Sequence, residues 1–258
     1  MPFTLAHPAA ILPLRGLRYL RTAPLIIGAM TPDLPYYVPA RFGLRPETHS
    51  VTGSFTTCLV LGYAALGCVY LLRRPLTALL SARARWLCLS ALAPFKGRPL
   101  EWALAAVSII LGVWSHLLWD SFTHNDGWIV RRVAFLSAPV SFGSYSGTVC
   151  HVLQYLSSGV GLAAMALWYR RLPVPAAAPV GPGAPRSSVG PVLMLVAVAA
   201  ILIGAVQATQ AFGHTPVIYR TLDIFLTRSL AWFAVLYLVA GTVVTLEHGQ
   251  ERASGMHR

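Results

Sequence analysis

The sequence predicts an all-α fold: a polytopic membrane helical bundle of about five transmembrane helices, with short interfacial or re-entrant helices at its N-terminus. Three observations carry that prediction. Hydrophobic residues make up 56% of the 258 and charged residues only 11%, whereas an ordinary soluble domain carries about 25% charged residues. Several apolar runs are long enough to cross ~30 Å of hydrocarbon, which takes roughly 20 residues of helix. The formal net charge of +12 is almost all arginine, and arginines that flank spans meet anionic lipid headgroups.

The first 50 residues hold two shorter apolar pieces, 3–14 and 23–30, interrupted by Pro8, Pro13, Pro24, Pro32, Pro35 and Pro39. Pieces of that length fall short of a full span and suit helices that lie in the interface or pack on the bundle. The spans follow at 51–72, 101–123, 149–169, 190–212 and 225–246. Between the first two, residues 73–100 carry Arg73, Arg74, Arg83, Arg85, Lys96 and Arg98 with no acid. Residues 171–191, containing PVPAAAPVGPGAPRSSVGP, are too rich in proline to pack and form a semi-rigid linker. It separates a polar-rich domain at 1–170 from two plainer helices at 192–247, and a short polar tail closes the chain at 248–258.

Several function classes drop out at this level. In MPFTLAHPAAILPLRGLRYLR the basic residues follow the apolar stretch, the reverse of a secretory signal. Cys58, Cys68, Cys88 and Cys150 form no CxxC pair and read as small buried hydrophobes. No basic run is interleaved with aromatics on a soluble module, so nucleic acid is not an expected partner. Membrane lipids are, and nothing in the sequence names a protein partner.

The unusual polar residues share a location. His7, Asp33 and His49 precede the first span; His116, Asp120 and His124 close the second; His151, Gln154, Ser157 and Ser158 open the third. Alternating topology sets all of them on one side of the membrane. Ionisable groups at membrane depth cost several kcal/mol, so a cluster of them calls for an explanation. His116 and Asp120, four apart, share a helical face, and His124 lies one further turn along. His151, Gln154 and Ser158 share another. Imidazole and carboxylate without thiolate suit Zn²⁺ first and Mn²⁺ or Fe²⁺ next; Ca²⁺ and Mg²⁺ want mostly oxygen.

Each piece alone has a plainer reading. A histidine at a membrane-helix end pairs with headgroups, Asp33 in MTPDLPYY is a turn or cap residue, His151 caps its helix, and Asp126 in HNDG forms a turn. His214, His248 and His257 have no polar company and are expected bystanders. By the positive-inside rule the dense, acid-free run at 73–100 is cytoplasmic, which puts the histidine-bearing edge of a multi-pass cell-membrane protein on the extracytoplasmic side.

MPFTLAHPAAILPL, GAMTPDLPYY, the His49–Ser50 pair, SHLLWDSFTHNDGW and LQYLSSG together resemble an uncharacterised bacterial integral-membrane family, domain of unknown function 4184, over roughly residues 1–170. More distantly, the ligand order is similar to that of membrane-bound metal-dependent hydrolases and of the all-helical zinc-dependent phospholipase C and single-strand nuclease superfamily. That resemblance implies that His7, Asp33, His49, His116, Asp120 and His124 feed a metal site. The soluble enzymes complete theirs with a later His-and-acid pair, for which the third span offers His151 and Gln154 but no carboxylate. One or two ions are therefore expected, not three.

The chemistry that fits such a site is hydrolysis of a phosphoester or lipid near the headgroup layer, which Trp114, Trp119 and Trp128 mark. Asp33 is the candidate catalytic carboxylate, bridging metals or taking a proton from water. Gln154, Ser157, Ser158 and His151 are candidates to orient ligands or contact substrate. Two other readings stay open: a non-enzymatic membrane scaffold with a structural or degenerate site, and a small transporter whose His and Asp form a permeation or proton path. Against transport, the ionisable groups gather at one edge, and the last two spans carry little beyond Gln207, Thr209, Gln210 and Arg228.

Overall fold

Helices that are apolar on every face must bury themselves in lipid or in one another. The structure, a computed structural model, describes residues 4–38, 47–95, 98–143, 145–175, 186–214 and 218–255. Pro39, Lys96, the linker at 176–185 and His257 lie outside the described residues. Among those described, five helices are long and apolar enough to cross a membrane: Val51–Leu71, Pro99–Thr123, Val149–Arg171, Val189–Ala211 and Thr221–His248. They match the five sequence runs to within a few residues, and the protein is a multi-pass all-α bundle.

The helices used below are α1 (Thr22–Met30), α2 (Thr57–Leu71), α3 (Pro99–Thr123), α4 (Val149–Arg171), α5 (Arg186–His214) and α6 (Ile218–Gly255), preceded by a 3-10 helix at Thr4–Leu14. The chain divides into two compact units, residues 1–66 with 94–173, and residues 67–93 with 174–258.

In the first unit the N-terminal segment packs along α3. Gly28 and Gly112 make this contact close: a Cβ on Gly28 would collide with the Ile109 carbonyl, and one on Gly112 with the backbone of Leu25 and Ala29. Small residues let two membrane helices meet backbone to backbone. Ile11, Leu25 and Ala29 form one buried cluster and Cys58, Ile109 and Val113 another. The segment is tied down at its other end, where Arg21 pairs with both carboxylate oxygens of Glu101 and its backbone N–H donates to Ser108 Oγ at 2.9 Å. The first span starts under a cap, with Ser50 Oγ accepting from the Gly53 N–H at 2.9 Å, and is interrupted at Thr56 between Val51–Phe55 and α2. After α3 the chain turns through His124–Gly127 and forms a small antiparallel hairpin, β1 (Pro139–Phe142) with β2 (Tyr145–Thr148), before α4. Sequence patterning shows no hairpin there, because none of its strand residues is buried and neither strand alternates.

In the second unit α5 and α6 pack as a pair, and the short helix Arg73–Ala78 lies on α6, where the Tyr237 hydroxyl donates to the Leu76 carbonyl at 2.9 Å. Arg85 is a correction to the view that these arginines all meet headgroups. Its guanidinium is buried and donates to the carbonyls of Thr77, Ala78 and Leu80 at 3.0–3.1 Å, closing the end of that helix. A second correction concerns the thiols. All four are free, but only Cys58 and Cys150 are buried; Cys68 and Cys88 are exposed.

Candidate metal centre

Four stretches of the first unit deliver six ionisable side chains to one place. His7 comes from the opening 3-10 helix, and Asp33 ends the short turn Thr31–Asp33 directly after α1. His49 stands just before the first span. His116 and Asp120 share a face of α3, and His124 caps its C-terminus, its N–H donating to the Asp120 carbonyl at 3.0 Å. The two carboxylates meet the four imidazoles in a regular way. Asp120 turns Oδ1 to His7 Nε2 (3.7 Å) and His124 Nδ1 (3.5 Å), and Oδ2 to His116 Nε2 (3.1 Å) and His49 Nε2 (3.7 Å). Asp33 turns Oδ1 to His49 Nε2 (3.6 Å) and His116 Nε2 (3.7 Å), and Oδ2 to His7 Nε2 (4.0 Å). Each carboxylate therefore presents one oxygen to the pair His49 and His116 and the other towards His7. Ligand atoms of His7, His116 and Asp120, and those of Asp33, His49 and His116, lie within 4.8 Å of one another, close enough for each trio to hold an ion.

The neighbouring backbone sets which nitrogen faces inward. His116 Nδ1 lies 2.8 Å from the Ala29 carbonyl, which can only accept, so Nδ1 carries a proton and Nε2 is the nitrogen turned towards the carboxylates. The close approach of α1 to α3 is what brings Ala29 within reach. Thr48 plays the same part for His49. Its hydroxyl donates to the Pro32 carbonyl at 2.9 Å and so accepts from His49 Nδ1 at 3.1 Å, which again turns Nε2 towards the carboxylates. Thr4 Oγ1 donates to Asp33 Oδ2 at 2.7 Å. The His7 and His116 rings stack with centroids 3.7 Å apart.

Burial sharpens the electrostatics. The side chains of His7, Asp33 and His116 are 1%, 3% and 0% exposed and form the floor; His49, at 33%, and His124, at 28%, line the open side. Burial, reinforced by the neighbouring His116, pushes the His7 imidazole down to about 4, so it is neutral at physiological pH and free to ligate. Burial alone would raise the Asp33 carboxyl, but its contact with His49 and the proximity of His116 and His7 hold it below the usual carboxylate range. Four buried polar atoms here have no hydrogen-bond partner: His7 Nδ1, His7 Nε2, His116 Nε2 and Asp120 Oδ1. Leaving such atoms unpaired costs about 1–3 kcal/mol each. Three of the four point into the cluster, and one divalent cation or two would satisfy all three, so the residues fit the group that the sequence leads one to expect.

The remaining candidates lie beside the cluster. His151 Nε2 contacts Asn125 Nδ2 at 3.2 Å, and Asn125 Oδ1 accepts from Thr148 Oγ1 and Cys150 Sγ. Gln154 is buried, and its carbonyl accepts from Ser157 and Ser158. Ser157 in turn accepts from Trp119 Nε1 at 3.2 Å. Asp126 stays exposed in the turn after α3, and His248 contacts the Val244 carbonyl on its own helix. Sequence reasoning missed Thr4, Thr48 and the Ala29 carbonyl. A hydroxyl three residues before His7 and another beside His49 were the available signals; a backbone carbonyl leaves none.

Comparison with known proteins adds the family and nothing on activity. No curated protein and no solved structure matches the chain. The family model described as a domain of unknown function, DUF4184, matches residues 1–246, so the likeness runs past the proline-rich linker and through both C-terminal spans instead of ending near residue 170. On that coverage of nearly the whole chain, the protein belongs to the DUF4184 family.

Proposed function

We propose that the protein is a membrane-embedded metal-dependent hydrolase acting on a phosphoester near the headgroup layer. One observation carries the reading: four imidazoles and two carboxylates converge at the end of α3, with buried polar atoms that have no hydrogen-bond partner. Zinc suits this donor set best, with manganese or iron(II) next. The pairing divides it into two halves. His49, His116, Asp33 Oδ1 and Asp120 Oδ2 would hold one cation; His7, His124, Asp120 Oδ1 and Asp33 Oδ2 would hold a second. His116 has only Nε2 to offer, because Nδ1 is committed to Ala29.

Two divalent cations against two carboxylates leave positive charge in excess, which favours an anionic ester over a neutral one. When bound, such a cation offsets charge on a phosphoryl oxygen and lowers the pKa of a water towards neutrality. Within this chain, Thr4 pins Asp33 Oδ2 and so fixes the carboxylate that would bridge the two cations and orient the attacking water. Substrate approaches from the open side, past His49 and His124. Trp114, Trp119 and Trp128 are exposed around this end, as indoles are at headgroup level. The acid-free arginine run at 73–100 favours an extracytoplasmic site in the cell membrane.

The test is elemental analysis of detergent-purified protein beside a His116→Ala variant, with a panel of soluble and lipid phosphodiesters assayed under added Zn²⁺ or Mn²⁺. Stoichiometric metal that His116→Ala loses, together with turnover, is the expected result. Metal no higher in the native protein than in the variant overturns the reading. Tight metal with no turnover across the panel makes the site structural, as in a scaffold.

A further inference from the structure

A cavity of about 410 Å³ lies between the opening 3-10 helix and α4. Its origin is in small residues. Gly161 lets α4 touch the opening helix, since a Cβ there would come within 3.0 Å of the Ala6 carbonyl. Beyond that contact Ala10 and Ala164 are too short to fill the gap, and Leu153, Leu156 and Val160 complete an aliphatic wall. Ser157 and Ser158 also line it, but both hydroxyls already donate to the Gln154 carbonyl, at 3.1 and 2.8 Å. Ordered water needs 2–4 polar partners, and this wall offers too few. The cavity suits hydrocarbon.

Its surroundings say which hydrocarbon. α4 is a candidate membrane span, and Leu156 and Val160 are exposed on it, so the cavity opens where lipid chains lie. At the other end stands His7, which lines the cavity, stacks on His116 and sits 3.7 Å from Asp120. Trp119, the residue before Asp120, is part of the same wall. The cavity and the ligand cluster therefore share a boundary. A volume at the small end of ligand pockets, which run roughly 300–1,000 Å³, suits one chain.

We infer that this cavity holds the acyl or alkyl chain of a membrane amphiphile and thereby brings its polar ester to the carboxylate–imidazole cluster. That the amphiphile is a substrate rests on the hydrolase reading; the chain-binding site itself does not. Because lipid tails are as apolar as the wall, entry from the bilayer costs little, and the site selects by shape and by the polar end it delivers.

The test uses the full chain in nanodiscs containing a phosphatidylcholine with a diazirine in mid-chain. Photolabel should concentrate on the peptide spanning 153–164. In an Ala10→Phe, Ala164→Phe variant it should fall about tenfold at unchanged metal content. A single Leu156→Trp variant, blocking the mouth, covers the case in which the double variant loses its metal, and should reduce the label in the same way. Label spread evenly over all spans, or unchanged in Leu156→Trp, overturns the inference. Paired substrates separate it from the hydrolase reading. A filled cavity should slow cleavage of a long-chain lysophospholipid about tenfold while sparing bis(p-nitrophenyl) phosphate; equal slowing of both overturns the inference. Focused label with no cleavage of either substrate by the native chain supports the tail site and removes the hydrolase.

Discussion

Replacing Thr48 by valine tests the claim that a hydroxyl outside the ligand set decides which nitrogen of His49 faces the carboxylates. Thr48 is 5% exposed, and its single hydroxyl proton goes to the Pro32 carbonyl, leaving the oxygen to accept from His49 Nδ1. Valine keeps the shape and removes both bonds. His49 Nδ1–H then has no acceptor, and the tautomer with the proton on Nε2, which cannot ligate, becomes competitive. Losing an outer-shell partner of this kind typically weakens metal binding 10–100-fold, or about 1.4–2.7 kcal/mol. The Pro32 carbonyl left unpaired costs a further ~1–3 kcal/mol of folding stability, so the two effects must be read separately. Competition against a chromogenic chelator gives affinity, and a thermal melt of the chelated protein gives stability. Thr48→Ser restores the hydroxyl and should restore affinity. Native affinity in Thr48→Val, or equal weakening in Thr48→Ser, would refute the tautomer argument.

Other consequences follow from the same geometry. His124→Ala should reduce bound metal from about two ions per chain to about one, because the one carboxylate oxygen His124 meets is Asp120 Oδ1 while the trio Asp33, His49 and His116 is untouched; unchanged stoichiometry by elemental analysis would exclude the two-cation division. In chelated protein, the contribution of His7 to stability should fall as pH drops from 6.5 towards 4. The depressed His7 stays neutral when folded but takes a proton when unfolded, so stability is full above pH 6.5 and loses about 3 kcal/mol by pH 4. His7→Gln should flatten that part of the melt-against-pH curve. Gly112→Leu should separate α1 from α3, break the Ala29–His116 hydrogen bond and abolish metal binding, whereas Gly67→Leu, at a position with open space around it, should bind metal normally. Each tenfold rise in free Zn²⁺ above its Kd should stabilise the protein by about 1.4 kcal/mol for every ion bound, and a melt indifferent to chelator would count against any ion.

What the sequence makes legible is set by what is local. The HxxxD spacing of His116 and Asp120 fixes a shared face wherever the helix lies, and alternation of spans places His49, His116 and His151 at one edge without any coordinates. Yet sharing an edge is not sharing a site. His151 is drawn to Asn125, at the end of a hairpin that no periodicity announces, while His7 and Asp33 join the cluster from the proline-broken segment. Their arrival depends on the Gly28–Gly112 crossing, a property of two backbones together. Thr4, Thr48 and Ala29 escape notice for the same reason: the polar group that orients a ligand is unremarkable in its own segment and acquires meaning only across a tertiary contact. Arg85 shows the converse, a residue whose charge suggests a headgroup partner and whose structure gives it three carbonyls.

The cluster also gains from where its helices stop. α3 ends at Thr123, one turn beyond Asp120, and α1 ends at Met30, just before Thr31–Asp33. A helix C-terminus carries partial negative charge from its unpaired carbonyls, and a nearby cation gains about 0.3–1 kcal/mol from each such end. Two carboxylates at this depth, beside two helix C-termini, form a site of concentrated negative potential in a medium that punishes unbalanced charge. The Ala29 and Thr48 contacts commit the Nδ1 protons of His116 and His49 outward and turn both Nε2 atoms towards the carboxylates. Nitrogen and carboxylate this close need a proton or a cation between them. The chain thus gathers imidazole nitrogens, carboxylates and helix ends in one cluster where, among the described residues, no lysine or arginine pairs with either carboxylate, an arrangement that cations drawn from solution would complete.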